Sequence, residues 1–156
     1  MRDLFTEELR VAIPPGHPLA RKRTVSPADL EQERLIVMKE GHCLGDQVLG
    51  FCERRDLRPN ISFRSAQLET IQALVCSGVG LSLIPAMAAR DVGPHRPEYR
   101  SLSAPPPERK IIAVWPKSRQ LGRAAIEFLG LIPERSASLN ASSASARSAN
   151  RRGTPG

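Results

Sequence analysis

Short apolar runs alternate with segments of helical periodicity along the first 131 residues, and this alternation constrains the fold more than any single motif. The runs are four to six residues long and are bounded by Gly, Pro or charged residues, as is typical of buried strands. The predicted strands are residues 9–13, 34–38, 60–64, 81–85, 99–102 and 110–115, and the predicted helices begin at Ser26 and cover residues 44–51, 68–75 and 120–131. Strands that alternate with helices predict an α/β fold.

Length and charge set broad limits on what this chain does. Its 156 residues suffice for one domain with a hydrophobic core, and no apolar run is long enough to span a membrane. The N-terminus lacks the charged-then-apolar layout of a signal peptide, so we expect a cytoplasmic location. The formal net charge of +7 would fit a nucleic-acid partner, but the basic residues are mixed with acids and form no stripe with interleaved aromatic residues. Residues 136–156 are low in complexity and are predicted to be disordered.

Cys43 and Cys52 stand nine residues apart at the two ends of the predicted helix. On a continuous helix nine residues rise about 13 Å and place the two side chains on opposite faces. A disulfide needs Cα atoms within about 7 Å of each other, so these two residues can be bonded only if the segment refolds. The pattern leaves two interpretations open: a transient redox pair, or two small buried apolar residues.

The remaining chemistry-bearing residues predict neither a metal site nor an enzyme. His42 lies beside Cys43 and in reach of Cys52 along the sequence, but a fourth ligand is not evident and adjacent ligands suit zinc poorly. The chain has no Gly-x-Ser-x-Gly motif, no phosphate-binding loop and no dinucleotide-binding fingerprint, and its carboxylates form no recognisable acid–base pair. We therefore expect no catalytic activity, no cofactor and no metal.

Two motifs carry a resemblance to a known family. The first is a helix followed by Gly-x-Gly-hydrophobic-small-hydrophobic-hydrophobic-Pro, which is found here at residues 78–85. The second is Ala-Ile-Pro-Pro-Gly-His-Pro-Leu-Ala at residues 12–20, followed by Val-Ser-Pro-Ala-Asp-Leu at residues 25–30. With these motifs, the stretch from about residue 4 to residue 131 resembles the effector-binding domain of LysR-type transcriptional regulators.

The resemblance implies an α/β regulatory lobe similar to type 2 periplasmic binding proteins, with one complete lobe and the closing part of the other. Residues 1–135 would form a truncated effector-binding domain, in which 13–110 are the second lobe and 1–12 and 111–135 are the remnant of the first. A full-length regulator of this kind is implied to be a homo-oligomer that binds a small-molecule effector, and to bind DNA only through an N-terminal domain that this chain lacks. Strand 111–115 and the last helix are expected to expose apolar surface.

Within that family, the His42-Cys43 pair with Cys52 nine residues on is similar to the peroxide-sensing OxyR branch. The resemblance implies that hydrogen peroxide oxidises Cys43 first and that Cys52 then closes an intramolecular disulfide. His42 and Asp46 would support the reaction. A position at the start of a helix fits the role of Cys43, because free N–H groups there favour a thiolate. Gly45 stands where the sensor carries an arginine, which removes a positive charge.

Two polar residues near the next helix are candidates for effector binding. In the parent fold the ligand cleft lies near strand ends and helix N-termini. Ser65 and Gln67 occupy such a place, although Ser65 would serve equally as the N-cap of helix 68–75.

Three functions stay open: a regulatory domain that responds to hydrogen peroxide, one that binds a small carboxylate metabolite without redox chemistry, and a stand-alone solute-binding lobe. The absent signal peptide argues against the last.

Overall fold

Strands and helices alternate along the chain as the sequence predicts, and the α/β class is confirmed. The computed structural model describes residues 1–39, 41–89, 96–103, 105–118 and 120–132. Its strands are β1 (Arg2–Ile13), β2 (Thr24–Val25), β3 (Arg34–Met38), β4 (Asn60–Ser65), β5 (Ser82–Pro85), β6 (Glu98–Leu102) and β7 (Glu108–Ala113). Its α-helices are α1 (Pro27–Glu31), α2 (Cys43–Arg54), α3 (Leu68–Cys76) and α4 (Arg123–Leu131), and short 3-10 helices cover Pro18–Arg21 and Ala86–Ala88.

The chain divides into two compact units, a larger one formed by Glu7–Arg109 and a smaller one formed by Met1–Thr6 with the chain from Lys110 onward. The chain passes between the units twice, once within β1 and once within β7. The division into a second lobe at residues 13–110 and a first-lobe remnant stays a prediction. Residues 136–156, for which disorder is predicted, lie outside the described residues.

Strand β3 is the centre of the larger unit. Four of its five residues are buried, and α1, α2 and α3 all contact it. Such a continuous apolar run is typical of a strand that is covered on both faces. β3 pairs with β4 in parallel, while a second sheet has the order β2-β6-β1-β5, with β7 also paired to β1. The bridge between Leu35 and Leu81 joins β3 to the residue that precedes β5.

Close backbone contact explains the Gly-x-Gly motif that follows α3. Gly78 has φ +77°, a left-handed conformation that ends the helix and that glycine adopts most readily. At Gly80 an added Cβ would lie 2.5 Å from the carbonyl oxygen of Arg34. The chain needs this approach because the Leu81 N–H donates to the same carbonyl at 2.8 Å. The motif therefore has a structural role: it lets the chain after α3 reach β3.

Strand β1 is longer than the sequence predicts. The apolar pattern indicates a strand at residues 9–13, whereas β1 begins at Arg2. Residues 2–8 are mostly polar and lack a clear alternation, so their extended conformation is not visible in the local pattern. Pairing with β7, which lies about a hundred residues away in the sequence, provides the missing reason.

The smaller unit exposes apolar side chains, as expected from the sequence. No residue of α4 is buried, and Ile126 and Phe128 are 57% and 63% exposed. Val114, just after β7, is 69% exposed. One polar contact from β1 reaches the helix: the guanidinium of Arg2 donates to the carbonyl of Leu129 at 3.0 Å.

Candidate functional site

The carboxyl ends of β3 and β4 bring two helix N-termini to one edge of the larger unit. The parallel register pairs Met38, the last residue of β3, with Ser65, the last residue of β4. The loop that leads to α2 therefore begins beside the loop that leads to α3. A hydrogen bond of 2.8 Å from the N–H of Lys39 to the carbonyl of Ser65 joins the two loops. The edge where parallel strands end and helices begin is a common place for ligands in α/β folds.

Cys43 is the first residue of α2 and is exposed. The preceding residue, His42, is the N-cap; its side chain makes no capping hydrogen bond, but its carbonyl accepts from the N–H of Gly45 at 2.8 Å. His42 and Asp46 are both exposed, and Asp46 lies one turn after Cys43 on the same side of the helix. The structure thus brings His42, Cys43 and Asp46 together at the solvent-facing start of α2.

Cys52 lies on the opposite, buried side of the same helix. It is 2% exposed and belongs to the hydrophobic core with Leu44, Val48 and Phe51. All three cysteines of the chain are free thiols. Because α2 is continuous from Cys43 to Arg54, the two cysteines are separated by about 13 Å along the helix axis. Burial is the main cause that raises the pKa of the Cys52 thiol, with a smaller contribution from Glu53, so Cys52 is a neutral thiol at neutral pH.

Gly45 is buried in the first turn of α2 and touches the end of β3. A Cβ at this position would lie 2.9 Å from the carbonyl oxygen of Met38, closer than side chains normally approach a backbone. An arginine here would therefore have to displace the backbone as well as add a charge. The departure from the peroxide-sensing motif is a packing feature of this chain, not only a lost charge.

Ser65 and Gln67 lie at the same edge, beside the start of α3. Gln67 is the N-cap of α3, so the alternative that Ser65 caps this helix is wrong. The hydroxyl of Ser65 instead accepts the N–H of Gln67 at 3.2 Å within the preceding turn, because β4 extends to Ser65 itself. The hydroxyl of Thr70 donates to the side-chain carbonyl of Gln67 at 3.3 Å. These contacts orient Gln67 while leaving it exposed.

Sequence reasoning missed two contacts of charged side chains in the larger unit. The guanidinium of Arg55 lies over the ring of Phe51, and one of its nitrogens donates to the carbonyl of Pro105. The carboxylate of Glu7, whose side chain is fully buried, accepts from the guanidinium of Arg109 at 2.7 Å. The bonds of Arg55 to Pro105 and of Arg109 to Glu7 join residues 50 or more positions apart, so no local pattern signals them.

Two further features bear on the kinds of site that are available. Within the described part of the chain, no group of three or more His, Cys, Asp or Glu side chains is arranged to hold a metal ion. Over the same residues, no helix is both long enough and apolar enough to span a membrane.

The sequence profile of the LysR substrate binding domain matches residues 1–137. The chain belongs to this family. The hydrogen peroxide-inducible genes activator of Dickeya chrysanthemi is 36% identical over 126 residues, which cover 77% of this chain and 40% of that relative. The DNA-binding transcriptional dual regulator OxyR of Escherichia coli K12 is 38% identical over 116 residues, which cover 72% of this chain and 37% of the relative. The chain thus spans about two fifths of the length of these curated relatives, which are transcriptional regulators.

Solved structures agree with the family assignment. The reduced OxyR regulatory domain of Pseudomonas aeruginosa matches with a TM-score of 0.60 and 35% identity over 70% of this chain and 53% of its own length. A reduced and an oxidised form of OxyR, each 34% identical, give TM-scores of 0.60 and 0.55. These two matches cover 70% and 69% of this chain, and 50% and 51% of the solved chains. The fold is the periplasmic-binding-protein-like fold of LysR-type regulatory domains.

Proposed function

We propose that this LysR-type effector domain responds to hydrogen peroxide through a reversible disulfide between Cys43 and Cys52. The observation that carries the proposal is the contrast between the two thiols on one helix. Cys43 is exposed at the first residue of α2, where an oxidant reaches it, and Cys52 is buried nine residues on. Relatives that share 36–38% identity include hydrogen peroxide-inducible genes activators and OxyR.

The chemistry runs in two steps. The thiolate sulfur of Cys43 attacks one oxygen of hydrogen peroxide, the O–O bond breaks, and Cys43 becomes a sulfenic acid while the departing hydroxide takes a proton to form water. The thiolate of Cys52 then attacks the sulfenic sulfur, the S–O bond breaks, and a second water leaves. Two thiols and one peroxide thus give one disulfide and two waters.

The second step requires α2 to open. Two residues nine apart on a continuous helix cannot satisfy the Cα separation of a disulfide, which is at most about 7 Å. Burial also keeps Cys52 protonated, so this thiol must reach solvent before it attacks. Opening removes Leu44, Val48 and Phe51 from the core, which converts a small covalent change into a larger rearrangement. The free thiols and the continuous helix α2 describe the dithiol form.

Peptide mapping after a stoichiometric pulse of hydrogen peroxide tests this proposal. In the wild-type chain we expect a Cys43–Cys52 disulfide that thioredoxin reduces. Cys52→Ser should stop at a sulfenic acid on Cys43 that dimedone captures, whereas Cys43→Ser should leave Cys52 as a free thiol. Cys76→Ser is the matched control and should form the disulfide normally. Failure of the wild-type chain to form the bond would overturn the proposal.

The proposal includes a cytoplasmic location, because a regulator of transcription acts in the compartment that contains the DNA. It also includes a homo-oligomeric full-length protein. DNA binding would be a property of a part of that protein other than this domain. The E. coli relative, which is more than twice as long as the matched region, is a DNA-binding regulator.

A second candidate function is the binding of a small carboxylate at the edge where β3 and β4 end. It is favoured by the convergence of the α2 and α3 N-termini, which is fixed by the register of Met38 with Ser65. Ser65 and Gln67 would supply polar contacts. Calorimetric titration with citrate, malate and benzoate tests this function, with Gln67→Ala as the variant that should weaken binding. Binding that is absent at millimolar concentration, or that the variant does not change, would contradict it.

A further inference from the structure

We propose that Arg55 is a positioning residue that keeps α2 closed in the dithiol form, because its side chain contacts both Phe51 and Pro105 of the segment 105–107. The inference rests on the proposed disulfide switch and adds a residue that regulates it. Neither the cysteine motif nor the effector residues include Arg55.

The contacts of Arg55 link the switch helix to a distant segment. Its guanidinium carbon lies 5.5 Å from the centre of the Phe51 ring, within the range of a cation–π interaction. One guanidinium nitrogen donates to the carbonyl of Pro105 at 2.9 Å. Phe51 itself is 4% exposed and lies between the two cysteines in the sequence. The side chain of Arg55 therefore covers the core residue that must leave if the helix opens.

The backbone carbonyl of Cys52 accepts two hydrogen bonds at the C-terminus of α2. Arg55 is the C-cap of α2, and its N–H donates to the carbonyl of Cys52 at 3.1 Å. The N–H of Leu57 donates to the same carbonyl at 2.9 Å. Movement of Cys52 toward Cys43 would break both bonds and would withdraw Arg55 from Pro105. Disulfide formation and the Arg55 contacts thus exclude each other.

The segment that Arg55 holds leads directly to the paired strands β1 and β7. The carbonyl of Pro107 accepts the N–H of Leu9 at 2.8 Å, and β7 begins at the next residue. Arg109, two residues after Pro107, binds the buried carboxylate of Glu7. Release of Arg55 therefore removes a restraint on the segment through which the chain leaves the larger unit.

The contacts exist only in the dithiol form, so they oppose oxidation. The hydrogen bond to Pro105 is exposed to solvent, so it and the cation–π contact both count at the low end of their usual strength. Together they correspond to a shift of about three- to tenfold in the thiol–disulfide equilibrium. Arg55→Ala should shift that equilibrium toward the disulfide by this factor, whereas a purely structural loss would destabilise both forms equally and leave the equilibrium unchanged.

Equilibration of the full chain with mixtures of reduced and oxidised dithiothreitol measures the effect. Arg54→Ala, at the exposed neighbouring position on α2, is the matched control and should behave as wild type. Arg55→Lys keeps the cation but lacks the planar fork, so it should shift the equilibrium less than Arg55→Ala does. In a double-mutant cycle with Phe51→Leu, the effect of Arg55→Ala should become smaller. Equal equilibria for Arg55→Ala and Arg54→Ala would overturn the proposal.

Hydrogen exchange in the reduced protein separates this inference from the switch itself. If the wild-type chain forms no disulfide, the proposed switch is wrong. Hydrogen exchange still tests whether the contacts of Arg55 hold α2. Arg55→Ala should then exchange the amides of the last two turns of α2 about three- to tenfold faster than Arg54→Ala does. Unchanged exchange would show that Arg55 does not hold the helix.

Discussion

Burial gives the two cysteines of α2 different chemistry. Cys43 is exposed and Cys52 is held in the core with a raised pKa. Reaction with iodoacetamide needs an accessible thiolate, which Cys52 provides only when α2 opens. We predict that at pH 8 Cys43 is labelled at least about tenfold faster than Cys52. Mass spectrometry of a labelling time course measures both rates, and comparable rates would contradict the geometry of α2.

The raised pKa of Cys52 also predicts how stability depends on pH. The group has an ordinary pKa of 9.0, and the folded protein raises it. The contribution of the neutral thiol to stability is therefore complete below about pH 9 and is lost as the pH rises through the folded-state pKa. We expect the free energy of unfolding to fall more steeply above pH 9 in the wild type than in Cys52→Ala. Urea unfolding between pH 7.5 and 10.5 makes the comparison, and parallel curves would count against the burial of this thiol.

The stability of α2 as an element should control the proposed switch. Gly50 lies inside the helix, and an added Cβ would meet only the flexible end of the Arg54 side chain, at 3.3 Å. Alanine is favoured over glycine in a helix interior by about 1 kcal/mol. Gly50→Ala should therefore lower the ratio of disulfide to dithiol form at a fixed dithiothreitol ratio by about fivefold. A disulfide fraction that rises or stays constant would argue against helix opening as the linked step.

The loop between α3 and β5 should tolerate no side chain at Gly80. Its Cβ would lie 2.5 Å from the carbonyl of Arg34 and 3.2 Å from the hydroxyl of Ser62. We expect Gly80→Ala to destabilise the larger unit by about 1–3 kcal/mol, as other overpacking substitutions do. Gly50→Ala serves as the control that adds the same methyl group at a permissive position. Equal urea midpoints for the two variants would mean that the approach of the loop to β3 is not tight.

The elements differ in how far the sequence predicts them. α2, α3 and β3 follow from local apolar periodicity, because each buries a face that the pattern displays. The first half of β1 does not, because its extended form depends on β7. At the candidate site, the positions of His42 and Cys43 at a helix start were visible in the sequence. The burial of Gly45 and the contact of Arg55 with Pro105 were not, since they arise from tertiary packing.

At the scale of the whole molecule, a buried ion pair joins the two strands that run between the units. Glu7 has a fully buried side chain that accepts from Arg109 and from the N–H of Met87 at 3.0 Å. Glu7→Gln leaves the guanidinium of Arg109, which is 16% exposed, without its carboxylate partner. We predict that Glu7→Gln lowers the free energy of unfolding by about 1–3 kcal/mol.

The more exposed pair of Glu98 with Arg100, whose side chains are 40% and 28% exposed, provides the control for that prediction. Because solvent screens this pair, Glu98→Gln should cost less than about 1 kcal/mol. Urea unfolding followed by circular dichroism compares the two variants. A small effect of Glu7→Gln would mean that the buried pair does not hold β1 to β7 within the larger unit.

The central claim is that oxidation by hydrogen peroxide joins Cys43 to Cys52 and opens α2. Hydrogen exchange with peptide mapping, performed on one sample before and after a stoichiometric pulse of peroxide, observes both events together. The account predicts a Cys43–Cys52 disulfide and a loss of amide protection across residues 44–54, both reversed by thioredoxin. Free thiols after the pulse, or a disulfide formed while α2 keeps its protection, would contradict the account.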